Sequence, residues 1–240
     1  TMRVFMNKYP NTNFIIDSPE TLLRIKNRFI GMIGFERNKS NFIKENLKIK
    51  PRILSEHHQF LKINNLEVEN SDTVIVGIQY RGTDKINTSC NEGVNFHLEY
   101  EKVSQFVKDK MSDENVSEFV VVACSDEKTF LEYISTQFTK VIYYQDFIRS
   151  SLNTSGLQKD FSDLKYTNTD NPDYRKLKDN SIHFGFKKVS NYLKGKQVLL
   201  DCLLVAEANY IFISQSNLGD YISHLKKSDS KVFKIKSIQS

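Results

Sequence analysis

Cysteine is scarce in this 240-residue chain, and its three copies, Cys90, Cys124 and Cys202, lie far apart with no CxxC pair. An odd count at such spacing argues against a disulfide scaffold and a structural zinc site, and favours a reducing compartment. Proline and glycine number only four and nine, and neither a low-complexity linker nor an internal repeat is present. No apolar run approaches the roughly 20 residues that span a bilayer. The first residues, TMRVFMNKYP, lack the apolar core of a signal peptide. A cytoplasmic location is therefore the expectation, with any targeting segment outside this chain. Dense Lys/Arg stripes and basic-aromatic clusters are missing too, which disfavours an RNA-binding module. Neither GxGxxG nor a glycine loop ending in Lys-Ser/Thr occurs, so the common dinucleotide and P-loop signatures are absent.

What is present is a globular balance: 39% hydrophobic and 26% charged residues, with a net charge of +5. RVFMNKY reads as a short strand. Ser18 and Pro19 form a helix start ahead of TLLRIKNRFIGMI. A further helix, ILSEHHQFLKI, follows Pro51, and its His57-His58 pair reads as surface. From residue 73 strands and helices alternate. TVIVGIQY, EFVVVAC, KVIYY, NYIFIS and KVFKIKSI are the strands; FHLEYEKVSQFVKDKM, SDEKTFLEYISTQF, GKQVLLDCLLVAEA and NLGDYISHL are the helices. Ser125 or Asp126 is the expected cap of the second of these helices, and Lys226-Lys227 a solvated end of the last. Residues 145–186 form a polar, lid-like interruption. The alternation predicts an α/β fold with a parallel sheet covered on both faces. Ligands of such sheets bind beyond the carboxyl ends of the strands, here residues 79–85, 124–126 and 214–219.

The first of these segments holds Arg81, Gly82, Thr83, Asp84 and Lys85. Arg81 offers a planar fork of donors suited to phosphate oxygens, Lys85 adds a second cation, and Gly82 lets a ligand approach the backbone. A solvated turn with an internal Arg81–Asp84 pair accounts for the same composition equally well. Asp201 lies on a helix face with Val198, Leu204, Val205 and Ala208. A carboxylate in such surroundings needs donors, which a ligand, a backbone amide or a neighbouring loop could supply. Cys124, at a strand end with no base nearby, reads as a small buried apolar group.

VGIQYRGTDK, with Phe96-His97 downstream, resembles the first signature of the α1,6- and protein O-fucosyltransferase superfamily. VVVACSDEKTFLEYISTQF is similar to the family's following strand, turn and helix, and KGKQVLLDCLLVAEANYIFISQSNLGDYI to its later signature. The likeness covers about residues 45–225. It implies a GT-B type glycosyltransferase that transfers fucose from GDP-fucose with inversion and requires no metal or other cofactor. By that resemblance Arg81 binds the GDP phosphates, Asp201 reads the guanine edge, Ser216 and Asn217 contact the phosphates, and Asp126 lies near the nucleoside. His97 would orient the acceptor, a glycan or protein hydroxyl. Glu92 or Asp84 would act as the base that an inverting transfer needs.

Two positions depart from the pattern: Gln79 stands where the family has His, and Gly82 where the α1,6 branch has a second Arg. Glu92 aligns only with a short insertion within residues 87–91. The implied domains are a reduced N-terminal lobe over residues 1–70, on the acceptor side, and a Rossmann-like nucleotide-sugar domain over 71–240. The alternative is a non-catalytic nucleotide-binding domain of a larger protein, which the two departures and the short first lobe recommend.

Overall fold

The structure, a computed structural model, describes residues 14–16, 47–67, 73–82, 99–150, 189–214 and 216–235. The expected strand at RVFMNKY, the helix TLLRIKNRFIGMI and residues 151–186 of the lid-like stretch lie outside them. A separate pair of parallel strands joins β1 (Phe14–Ile16) to β2 (Leu47–Ile49). Helix α1 (Pro51–Ile63) follows. The alternating unit then runs β3 (Val74–Tyr80), α2 (Tyr100–Asp113), β4 (Phe119–Ser125), α3 (Lys128–Gln137), β5 (Val141–Ile142), α4 (Asn191–Ala206), β6 (Tyr210–Ser214), α5 (Asn217–Leu225) and β7 (Lys231–Ile235).

The fold is α/β, as the alternation predicts. β3 to β7 form one parallel five-stranded sheet in the order β5-β4-β3-β6-β7. Chain order runs outward from β3 to β5, then returns to the other side of β3 for β6 and β7. The strand order thus reverses between β3 and β6, the place at which open α/β sheets generally bind their ligands, at the carboxyl edge. The central strands β3, β4 and β6 bury both faces, the reason TVIVGIQY and EFVVVAC are near-continuous apolar runs.

Alternate residues divide the core. Ile75, Val122, Cys124, Ile211 and Ile213 face α1, α4 and α5; Val76, Ile78, Tyr80, Val121, Ala123 and Phe212 face α2 and α3. On the second face Tyr80 stacks on Phe130 at 4.2 Å and meets Tyr100 edge-on at 5.4 Å. On the first, Gly77 lets the last turn of α4 settle on β3. A Cβ at that position would lie 2.9 Å from both the Ala208 Cβ and the Val205 carbonyl oxygen.

Four local expectations are corrected. KVIYY contributes only Val141–Ile142 to the sheet. Helix α3 begins after Glu127, without a side-chain cap, because Ser125 belongs to β4 and Asp126 bonds elsewhere. His57 is buried, at 1% exposure, since Ile53, His57 and Leu61 share the α1 stripe that enters the core. Its Nδ1 lies 3.2 Å from the Tyr144 hydroxyl and its Nε2 3.5 Å from a Glu207 carboxylate oxygen. Lys227, rather than ending a helix in solvent, pairs with Glu207 at 2.9 Å.

Burial acts to raise the Glu207 carboxyl, but His57 and Lys227 outweigh it and lower its pKa from 4.5 to about 2. A folded-state pKa below the unfolded one means that the carboxylate stabilises the fold above about pH 4.5 and that this contribution is lost as pH falls toward 2. Glu207→Gln should therefore lower the urea midpoint at pH 6, and the gap from wild type should close as the pH approaches 2.5. A gap of constant size would contradict this assignment.

Candidate functional site at the carboxyl edge of the sheet

β3 and β4 end in register, Tyr80 opposite Ser125. One step further, the Gly82 N–H donates to Asp126 Oδ1 at 3.0 Å, which ties the two strand ends together. The Asp126 turn is braced behind: Ser125 Oγ accepts from the Glu127 N–H at 3.0 Å, and Glu127 accepts from the Tyr100 hydroxyl. Ser150 closes the turn from the other side. Its N–H donates to the Asp126 carbonyl at 2.8 Å and its carbonyl accepts from Lys128 at 2.9 Å. Arg81 is half-buried between these strand ends, close enough to α4 for its charge to act on the Cys202 thiol.

On the other side of β3, Gln79 is fully buried and accepts from Ser214 Oγ at 3.2 Å and from Ser216 Oγ at 3.5 Å. Ser216 is also the N-cap of α5, its Oγ accepting from the Gly219 N–H at 3.0 Å. Gly219 permits this packing, for a Cβ there would lie 2.8 Å from the Ser214 carbonyl oxygen and 3.1 Å from Gln79. Gln79 thus pins the α5 N-terminus to β3, two residues before Arg81. Asn217, the first residue of α5, is exposed at that end. Arg81, just after β3, and the N-terminus of α5 thus lie at the same carboxyl edge where the strand order reverses, a setting suited to an anion.

Asp201 sits on the inner face of α4 at 6% exposure. Its donors come from Arg149, whose Nη1 and Nη2 approach its two carboxylate oxygens at 2.9 and 3.0 Å. Nη1 also donates to the Ser125 carbonyl, and Nη2 to the Tyr144 carbonyl at 3.3 Å. Burial pushes the Asp201 carboxyl up while the guanidinium pulls it down; Arg149, against its own burial, is held firmly protonated by Asp201. Cys124 lies buried beside the pair with its thiol pushed well up by burial, which agrees with an inert packing role. Arg149 escaped the sequence reading because it follows β5 in an aperiodic polar stretch. The available signal was Asp201 itself, a carboxylate on an apolar face that required a cation.

The structure brings Arg81, Gly82, Asp126, Asp201 and Ser216 to one edge of the sheet. Asp84, Lys85, Glu92 and His97 lie outside the described residues. Among the described residues no cluster of His, Cys, Asp or Glu could hold a metal ion, and no helix is long and apolar enough to cross a membrane.

No family model matches the chain, and no curated protein does. Among solved structures it is similar to NodZ alpha-1,6-fucosyltransferase co-crystallized with GDP, at TM-score 0.46 and 13% identity over 80% of this chain and 47% of that one. It is also similar to NodZ alpha-1,6-fucosyltransferase soaked with GDP-fucose, at TM-score 0.43 and 14% identity over 78% and 46% of the two chains. The chain thus spans about half the length of these neighbours.

The buried pair makes a stability prediction. Asp201→Ala strands a guanidinium in the core and should cost about 3–5 kcal/mol, whereas replacing both partners by Met and Leu should recover most of that loss. Urea denaturation of the single and double variants measures it. Equal losses would show that shape rather than charge holds the site.

Proposed function

We propose that this chain is the donor-binding part of an inverting, metal-independent GT-B type glycosyltransferase, with fucose from GDP-fucose as the group transferred to a glycan or protein hydroxyl. The observation that carries the proposal is the meeting of Arg81, the Gly82–Asp126 link and the capped α5 N-terminus where the strand order reverses. The signature around VGIQYRGTDK supports the choice of donor.

In this reading the acceptor oxygen attacks the anomeric carbon from the side opposite the diphosphate. The bond from that carbon to the β-phosphate oxygen breaks, and its electron pair leaves with the nucleotide. Negative charge grows on the β-phosphate, where Arg81 and the α5 dipole lower the barrier because they are already oriented. Glu92 or Asp84 takes the acceptor proton. Lys85 adds positive charge beside Arg81, and His97 orients the acceptor. Asn217 and Ser216 bring the α5 end to the phosphates, Ser216 through its cap rather than a free hydroxyl. Asp126 holds the Gly82 backbone toward the nucleotide.

At about a hundredfold excess over its dissociation constant, GDP should stabilise the fold by about 2.7 kcal/mol, or roughly 5–10 °C in melting temperature. Arg81→Ala should abolish the shift. No shift at millimolar GDP would contradict the proposal. Binding without hydrolysis or transfer across a glycan panel would favour a non-catalytic nucleotide-binding domain, the reading that Gly82 in place of a second arginine recommends.

A further inference from the structure

The position proposed to read the base already has a partner. Guanine presents two adjacent N–H donors on one edge, from N1 and the 2-amino group, and a guanidinium presents the same parallel pair. Arg149 delivers its pair to both Asp201 oxygens at 2.9 and 3.0 Å. It occupies the carboxylate in the manner a guanine edge would.

The occupant is not readily displaced. All four Nη hydrogens of Arg149 are engaged, two by Asp201, one by the Ser125 carbonyl and one by the Tyr144 carbonyl. The side chains of Arg149 and Asp201 are 5% and 8% exposed. A base that took the carboxylate would leave a buried guanidinium without its counter-ion and two carbonyls without their donors, and it would find almost no open surface at Asp201 to approach. Neutral guanine donors return less than the charged ones they replace.

We infer that Arg149 is a specificity-determining residue that closes Asp201 to the nucleobase, so that this chain binds nucleoside diphosphates through their phosphates with little preference for guanine. The inference rests on the proposed nucleotide-sugar site and refines it: donor choice falls to the sugar and the diphosphate.

The test is isothermal titration of the full chain with GDP, UDP and ADP. Dissociation constants within about threefold of one another are expected. GDP binding at least tenfold tighter than UDP and ADP, the scale of a base edge read by a carboxylate, overturns the inference and leaves the nucleotide site standing. Binding of none of the three removes the site and the inference with it. Asp201→Asn, which keeps the shape and one of the two acceptors for Arg149, should change GDP and UDP affinities by the same factor, to within about threefold. A tenfold loss confined to GDP would show that Asp201 does read guanine. Arg149→Met, if it folds, should free the carboxylate and make GDP bind about tenfold tighter than UDP; unchanged ratios in the folded variant would count against the inference.

Discussion

An ionised carboxylate inside a protein must be paired, and here the pairing of Asp201 with Arg149 ties together the parts of the fold that build the carboxyl edge. Asp201 belongs to α4, Ser125 ends β4, and Tyr144 follows β5; one guanidinium bonds to all three. The segment that carries Arg149 continues directly into Ser150, whose backbone closes the Asp126 turn, and Asp126 in turn holds the Gly82 amide. A disturbance of the pair would therefore pass through two short hydrogen-bonded links to the loop that begins at Arg81. Buried ion pairs add little net stability over a well-packed apolar alternative. What this one supplies is position.

The other half of the edge is organised without buried charge. Gln79, Ser214 and Ser216 form a neutral polar knot that seats the N-terminus of α5 against β3. Gly219 lets the helix come close enough. The two halves leave β3 between them with Arg81 at its tip. The proposed chemistry would use that arrangement, a cation and a helix dipole at one edge, to stabilise the charge that grows on a departing diphosphate.

Much of the fold was legible in the sequence because buried parallel strands announce themselves. TVIVGIQY, EFVVVAC and NYIFIS could hardly be anything else between helical stretches, and β3, β4 and β6 lie where they predict. The carboxyl edge of the sheet was legible at Arg81, Gly82 and Ser216, since polar residues directly after an apolar strand mark its carboxyl end. Tertiary partners were not. Nothing local to Arg149 reveals that it faces Asp201, 52 residues away along the chain. Ser125 and Asp126 have the chemistry of a helix cap, yet their side chains serve the Glu127 amide and Gly82 instead. His57 looked exposed beside His58 because a histidine on an amphipathic helix carries no sign of which stripe it joins until the packing partner is known.

The central claim is that a nucleoside diphosphate binds by its phosphates at the carboxyl edge, between the end of β3 and the start of α5, while Arg149 keeps Asp201. A crystal structure of the chain with GDP bound tests it most directly. The account predicts the β-phosphate within hydrogen-bonding distance of Arg81 and the α5 N-terminus, with both Arg149–Asp201 bonds intact. Guanine seated on Asp201 with Arg149 displaced, or a diphosphate bound away from Arg81, would contradict it.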